Sequence, residues 1–388
     1  MKLRYRLLTF ALLFGLFTFN ASPTFGQVGD IGDILQAGRE DANTLARAYL
    51  EPFGSGFGAS LNTGWTNTAS PHGKLGFDVT VSTGLAIVPD AAKSFDVTAL
   101  GLSDNFRLLN ENGEIPGPNE NIDPTAQTIN GNDVSGPMVG FFTDQDYDGD
   151  GEVDKLVDFN MPEGSGFGYV PAPMIKAGVG IVKGTELMLR YTPKTKIGDF
   201  GSFNLFGVGA KHGINQWLPG GKLLPVNLSV MFGYTNMEVG SDLDLTASDV
   251  IGNRSDIENP YNASQWEDQT VEMNTDSWTI NALVGKSLPV VSVYAGVGYE
   301  ASSLSITTPG SYPTVVPKQS ADNPPNNEPQ KPLFVDAVDE PIDVSVDGDN
   351  GLRALAGFRL KFTVLHISGS YTLSNYSSYN LGVGISFR

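Results

Sequence analysis

The chain has no cysteine and only three histidines, His72, His212 and His366, among 388 residues. That removes disulfide frameworks, thiol nucleophiles and thiolate zinc sites from consideration. Basic residues are scarce as well. The 24 Lys and Arg stand against 43 Asp and Glu, a formal charge of −19, so the chain lacks the basic face that nucleic-acid phosphates require. Long apolar runs are missing too: the longest, Leu7–Phe19, is thirteen residues, too short to cross a bilayer as a helix. Charged residues make up only 17% of the chain, which argues against a helical bundle, while aromatics at 10% argue against disorder.

What the first residues do hold is a targeting pattern. Lys2, Arg4 and Arg6 precede the apolar run, which has the length of a signal-peptide core. Residues 1–26 read as a signal peptide cleaved near Gly26, and with no cysteine next to the cleavage point a lipid anchor is excluded. Residues 27–53 then form an N-terminal helical segment. Ile31, Ile34, Leu35, Ala42, Leu45, Ala46 and Tyr49 share one face, Asp30 can cap the start and Pro52 stops it. Its apolar face calls for burial, either inside the body formed by residues 54–388, as a plug, or docked in the periplasm, and the plug is the preferred reading.

From Gly54 onward the period becomes two. In Val226–Thr235, Val226, Leu228, Val230, Phe232 and Tyr234 alternate with small and polar residues. Val291–Glu300 and the last ten residues do the same. Segments of about ten residues, apolar on one face and small or polar on the other, are the signature of tilted strands crossing a membrane. A soluble sandwich would carry Lys and Glu on its outer face. Here the charges lie elsewhere. Residues 103–165, 239–276 and 308–350 hold 31 of the 43 acidic residues and five basic ones, leaving the remainder of the mature chain slightly positive.

Strands are expected near 56–67, 74–88, 94–102, 169–182, 185–193, 199–213, 224–238, 277–286, 290–306, 351–361, 365–374 and 378–388. The three acidic segments follow the third, seventh and ninth of these, so all lie on one side of the sheet, and short turns lie on the other. That asymmetry belongs to bacterial outer-membrane barrels. The expected fold is all-β: an antiparallel transmembrane β-barrel over residues 54–388, of about twelve strands within a range of ten to fourteen, with an N-terminal helix as plug. Trp65, Trp278, Tyr234, Tyr299 and Tyr379 are expected in interfacial girdles. Phe387 near the C-terminus is expected to serve the outer-membrane assembly machinery.

Two stretches carry a family resemblance: Leu61-Asn62-Thr63-Gly64-Trp65-Thr66-Asn67-Thr68-Ala69, and Lys183-Gly184-Thr185-Glu186-Leu187 followed by Arg190 and Pro193. They resemble an uncharacterised family of Gram-negative outer-membrane barrels. More loosely, a helical segment ahead of a barrel looks like the long-chain fatty-acid transporters. In those, the N-terminal segment plugs the lumen and a hydrophobic ligand is taken from the outer leaflet. The Asn-Pro-Ala motif expected of them near the mature N-terminus is absent here.

Several residues could carry chemistry. In Asp146-Tyr147-Asp148-Gly149-Asp150-Gly151-Glu152-Val153-Asp154, carboxylates at positions 1, 3, 5 and 9 and a glycine at 6 suit a hard cation that wants oxygen ligands. Asp146, Asp148, Asp150, Glu152 and Asp154 are therefore candidate ligands of a structural Ca2+. The bland reading is a solvated acidic loop. Asp78, Glu186, Arg190, Glu300, Arg353, Arg359 and Lys361 lie opposite apolar neighbours and should face the lumen, where they pair with one another or line a channel. Gly54-Ser55-Gly56-Phe57-Gly58 and Gly164-Ser165-Gly166-Phe167-Gly168 are identical and read as flexible entries into strands. His366 and Ser368 share a strand face, but no third residue can be placed beside them, so an enzyme is not expected. The functional expectation is passive transport of a small or hydrophobic solute. The alternative is a surface barrel whose calcium-binding loops mediate binding or envelope structure. Its expected partners are outer-membrane lipid and lipopolysaccharide.

Overall fold

The computed structural model describes residues 34, 39–144, 146, 153–196, 201–252, 254–255, 257–317, 333–349 and 351–387. The signal peptide expected at 1–26 lies outside them. Ten strands form one closed antiparallel barrel: β1 (Phe77–Ile87), β2 (Tyr169–Gly180), β3 (Thr185–Lys196), β4 (Ser202–Gly213), β5 (Asn227–Asp242), β6 (Thr270–Ser287), β7 (Val291–Thr307), β8 (Gly351–Phe362), β9 (Leu365–Leu373) and β10 (Ser378–Phe387). Each pairs with its neighbours in the chain, and β10 closes on β1 with Phe77 opposite Phe387. The strand Asp343–Asp347 pairs with the last residues of β7 and extends the wall above that point.

Twelve strands are therefore corrected to ten. The segment 56–67 is not a strand; it is the end of helix α1 (Arg39–Leu61) and the turn beyond it. The segment 94–102 is loop structure, with Ser94–Asp96 paired to Thr125–Gln127 and a 3-10 turn behind it. Since both false strands precede the longest loop or lie inside it, the parity survives. The long connections follow β1, β5 and β7, all on one side.

Helix α1 runs through Pro52, which was expected to stop it, and through the first of the two Gly-Ser-Gly-Phe-Gly stretches. Leu45, Tyr49, Phe53, Phe57 and Leu61 recur every four residues, and all five are buried, so one apolar stripe continues past the proline. Burial of that stripe outweighs the poor helix propensity of proline and glycine. The glycines are there for close approach. A Cβ on Gly58 would lie 2.0 Å from Ser302 Oγ, and one on Gly54 would lie 2.5 Å from a Leu304 methyl, both on β7. The second copy, residues 164–168, is the loop expected ahead of β2, with Gly166 at φ +69°. Identical pentapeptides thus take different structures according to what they pack against.

Outward positions on the strands are apolar, from Val79 and Val81 on β1 to Val383 and Ile385 on β10. With every backbone ladder closed, this is the surface of a protein that lives in lipid. Trp278 and Tyr299 meet at 5.7 Å and Tyr371 and Tyr379 at 5.0 Å toward the long-loop end, and Phe77 meets Phe387 at 4.9 Å near the other. These are the interfacial aromatics of an outer-membrane barrel. Trp65 is not among them; it is buried inside the lumen. The protein is a bacterial outer-membrane β-barrel, a class in which long loops mark the extracellular end and short turns the periplasmic one.

The described parts of the long loops are folded. Val97, Ile129, Phe141, Phe159, Met161 and Val344 share one apolar core with Leu45, Tyr49 and Phe53 of α1. Asp41 accepts hydrogen bonds from Ser103 N (2.9 Å) and Ser103 Oγ (2.6 Å), and Asn43 Oδ1 accepts from Asp343 N (2.9 Å). The first half of α1 is thus embedded in the extracellular crown, and its second half enters the barrel mouth. The segment after the helix ends at the opposite rim, where Leu75 N donates to Gly180 O (2.8 Å) just before β1. The chain therefore enters the barrel from the extracellular side. An epitope inserted directly ahead of Arg39 is expected to bind antibody on intact cells, whereas one inserted in the 363–364 turn should need a permeabilised outer membrane.

Candidate functional site

The site is the lumen and the strap, residues 62–76, that threads it. Inward positions follow the strand period, so the barrel interior is set by every second residue. Asp78, Glu186, Arg190, Glu300, Arg353 and Arg359 all point inward and are buried. Lys361 shares their face but stands half-exposed at the periplasmic end of β8. Lys176 and Lys211 complete the set, each at most 2% exposed. They were not singled out from sequence, although the alternation Ile175-Lys176-Ala177 and Ala210-Lys211-His212 carries the signal.

These charges pair across neighbouring strands. Lys211 Nζ lies 3.1 Å from Glu186, its direct cross-strand partner, and Arg353 Nη1 lies 2.9 Å from Glu300. Lys176 Nζ is 3.8 Å from Asp78. Ion pairs of this kind cancel the charge a lumen would otherwise bury.

The same cations then reach the strap. Arg190 Nη1 donates to Leu61 O at 2.6 Å and its Nη2 to Thr63 O. Arg353 Nη1 donates to Asn62 O (3.1 Å), Lys176 Nζ to Trp65 O (3.2 Å), Tyr294 Oη to Thr66 O (3.0 Å) and Lys211 Nζ to Thr68 O (3.2 Å). Irregular backbone is tolerated at membrane depth only where its polar groups find partners. The strap has no ladder of its own, so the wall supplies the donors. The Arg190 guanidinium also lies 3.8 Å over the Trp65 ring. The indole sits in a notch left by Gly209 and Gly233, where a Cβ on Gly233 would come within 2.5 Å of it.

Lower down, His72 Nε2 meets Asp78 Oδ1 at 2.9 Å, and His72 N donates to Glu186 Oε2 at 3.0 Å. Thr80 Oγ1 donates to Asp78 Oδ2 at 2.8 Å and meets His366 Nε2 at 3.1 Å. The ligand atoms of His72, Asp78 and Glu186 fall within 4.8 Å of one another, close enough to share a cation. Lys176 and Lys211 already balance the two carboxylates, so the trio serves as a latch between strap and wall. Ser368 Oγ turns to Gly382 O (3.5 Å), while His366 Nε2 faces Thr80 and Asn67. His212 lies at the short-turn end, bonded to Thr185 and Trp217.

Of the calcium-loop candidates, Asp148, Asp150 and Glu152 lie outside the described residues. Asp146 and Asp154 are described, and Asp154 closes the base of the loop: Thr143 N donates to its carbonyl at 2.8 Å and its N–H donates to Thr143 Oγ1 at 2.8 Å.

Replacing Arg190 by Leu leaves the carbonyls of Leu61, at the end of α1, and of Thr63 in the strap without their charged donor, each bond worth about 1.5–3 kcal/mol. Amide exchange over residues 61–66 is then expected to rise about tenfold or more, since about 1.4 kcal/mol is a factor of ten, with β5 and β6 unchanged. Arg190→Lys should recover part of that protection, because an ammonium reaches one carbonyl but cannot fork to two.

Among solved structures, the chain is similar at low level to outer-membrane barrels. Ail of Yersinia pestis, in complex with the heparin analogue sucrose octasulfate, is 10% identical, with 80% of this chain and 99% of that one covered and a TM-score of 0.23. The translocator domain of the autotransporter NalP from Neisseria meningitidis is 10% identical over 82% and 90%, with a TM-score of 0.27. A Pseudomonas aeruginosa FadL homologue is 12% identical over 86% and 95%, with a TM-score of 0.22. Superpositions this loose carry no argument about activity. No curated protein matches the chain in sequence. One family does, and its match from residue 1 to 387 takes in the strap, the cations that hold it and all ten strands; the chain belongs to that family, the family of unknown function DUF6588.

Proposed function

We propose that the protein is a plugged, passive outer-membrane channel for small solutes. The observation that carries this reading is the way the lumen is filled. The lumen is filled by a strap of the chain itself, held by hydrogen bonds between wall cations and backbone carbonyls. Such contacts exchange with water at small net cost, about 0.5–1.5 kcal/mol for a typical bond and about 1.5–3 for a charged one. The topology supports a passive mechanism. Helix α1 begins at Arg39 in the crown, so the described part of the plug presents no end at the periplasmic mouth for an energy-coupling partner.

The acidic crown supports a second role for the same protein, in the envelope rather than in transport. Asp146, Asp148, Asp150, Glu152 and Asp154 bind Ca2+ in this reading, which ties the crown to anionic lipopolysaccharide. Thr143 and Asp154 support it by bringing the two ends of the acidic stretch together. Phe387, stacked on Phe77 at the barrel seam, is the signal for the assembly machinery.

Liposome swelling tests the transport role. Full-length protein is expected to admit glycerol and arabinose slowly and to exclude sucrose; a variant lacking residues 39–68 should pass all three several-fold faster. Equal, negligible swelling by both, with both shown folded by heat-modifiable mobility, would sink the transport reading. For the crown, millimolar calcium should slow proteolysis between Thr143 and Lys155. Asp148→Asn combined with Asp150→Asn should abolish that protection.

A further inference from the structure

Four turns join strands at the short-loop end, and the one between β4 and β5, residues 214–226, is the longest. It is held in one shape by Asn215. The side-chain Nδ2 of that residue donates to Gly221 O at 3.3 Å and to Val226 O at 2.9 Å, and its Oδ1 accepts from Leu228 N at 2.6 Å. Trp217, Leu218, Gly221, Leu223 and Leu224 each donate their backbone N–H inside the turn, and Pro219 and Pro225 have none to donate. The large apolar side chains nevertheless point away from the protein. Trp217 is 65% and Leu223 88% exposed, and Leu218 and Leu224 are exposed beside them. A segment that satisfies much of its own backbone and turns its apolar side chains outward suits contact with lipid better than contact with water.

The position of the turn agrees. Glu186 and Lys211 are buried in the lumen, so Thr185 and His212, the next residues on the two strands and paired with each other, face the outside of the barrel. His212 Nδ1 meets Thr185 Oγ1 at 2.8 Å, and Trp217 Nε1 donates to His212 Nε2 at 2.8 Å. The indole is thus tied to the lipid-facing wall where β3 begins and β4 ends. Gln216 Nε2 donates to Lys183 O and so joins the turn to its neighbour between β2 and β3, where Val182 is also exposed. The charge at this end has one sign. Segments 181–185, 214–226, 286–290 and 361–365 contain Lys183, Lys222, Lys286 and Lys361 and no Asp or Glu. Lys183 and Lys286 are exposed, and Lys286 follows Val284 on the outward face of β6. The carboxylates nearest this rim, Asp78 and Glu186, face the lumen and are paired there with Lys176 and Lys211.

We infer that this sector of the rim is a docking surface for anionic phospholipid of the periplasmic leaflet. Trp217, Leu218, Leu223 and Leu224 enter the boundary between headgroups and acyl chains, where an indole is at home, and the ammonium groups of Lys183 and Lys286 meet the headgroup phosphates. An amphiphile with a negative head fits lysines set among exposed apolar side chains. A soluble periplasmic partner fits less well, because it would have to reach an indole laid along the wall that lipid covers. The contact holds whether or not the lumen conducts. It also gives the molecule two differently charged ends, an acidic crown outside and a basic rim beneath.

Fluorescence quenching by brominated lipid tests this on the full-length chain. The protein has four tryptophans, so the signal of Trp217 is read as the difference between the native protein and Trp217→Phe. Each is refolded into phosphatidylcholine vesicles that contain an equal mole fraction of either dibrominated phosphatidylcholine or dibrominated phosphatidylglycerol, and heat-modifiable mobility shows that it is folded. Both brominated lipids should quench Trp217, the anionic one about threefold more strongly, and high salt should remove the difference. Lys183→Gln combined with Lys286→Gln should bring the two lipids level while quenching by the zwitterionic one stays as in the native protein. Equal quenching of the native protein by the two lipids would overturn the assignment, and so would an anionic preference that survives the double substitution. A Trp217 that is open to aqueous acrylamide and untouched by either lipid would also overturn it, and would turn the search to a periplasmic protein or polymer as the cover of this turn.

Discussion

Everything in the lumen depends on one exchange: carbonyl oxygens of an irregular strap for N–H groups of wall cations. Arg190 forks onto Leu61 and Thr63, and Arg353, Lys176 and Lys211 take Asn62, Trp65 and Thr68. Without those donors the strap could not lie where it does, since buried carbonyls with no partner cost more than the packing of so polar a segment returns. The dependence runs both ways. The cations need anions or carbonyls to remain buried, and the three inward carboxylates leave Arg190 without a carboxylate partner among the described residues. The strap is thus part of the solvation of the wall, and barrel and plug are one polar core rather than a container and its contents.

The dimensions of the barrel make room for this arrangement. Eight strands leave an interior just filled by side chains, and each added strand widens it. Ten strands leave space for one extended segment, provided some inward positions are glycine. Gly209 and Gly233 admit the Trp65 indole, and a Cβ on Gly357 would lie 2.6 Å from the Tyr294 ring. Helix α1 is too thick to follow the strap downward, so it stays at the mouth. There its own glycines at 54 and 58 let it lie against β7.

The barrel was legible because lipid imposes a rule on every second residue. Leu228, Val230, Phe232 and Tyr234 could be read as one outward face without reference to anything else in the chain. The inward assignment of Asp78, Glu186 and Arg190 followed from the same rule. Strand number was harder, because Phe57-Gly58-Ala59-Ser60-Leu61 alternates as a strand does and also fits the four-residue stripe of α1. Pro52 tipped the reading toward a strand; only the wall at Leu304 and Ser302 decides for the helix. The site itself was the least legible part. That Arg190 grips the carbonyls of Leu61 and Thr63 is a contact between residues over a hundred positions apart, made to backbone atoms that every sequence shares. The motif around Trp65 could mark a family, but not that it is the strap of a plug.

The strap also has a direction. It is continuous with β1 at the periplasmic rim and with α1 at the extracellular mouth, so its two ends have unequal freedom. The periplasmic end is anchored by the chain itself and by His72 on Asp78 and Glu186. The extracellular end is anchored by packing in the crown, where Asp41, Asn43 and Tyr49 bond to loops from two different connections. Any motion of the plug must therefore be a displacement of α1 together with loops, or a sideways shift of the strap between its two anchors. The first would disrupt the shared apolar core around Leu45, Tyr49 and Phe53, a large cost. The second exchanges a few hydrogen bonds between strap and wall and leaves that core intact. Physical cost thus favours a lumen that opens by a shift of the strap while the crown stays folded above it.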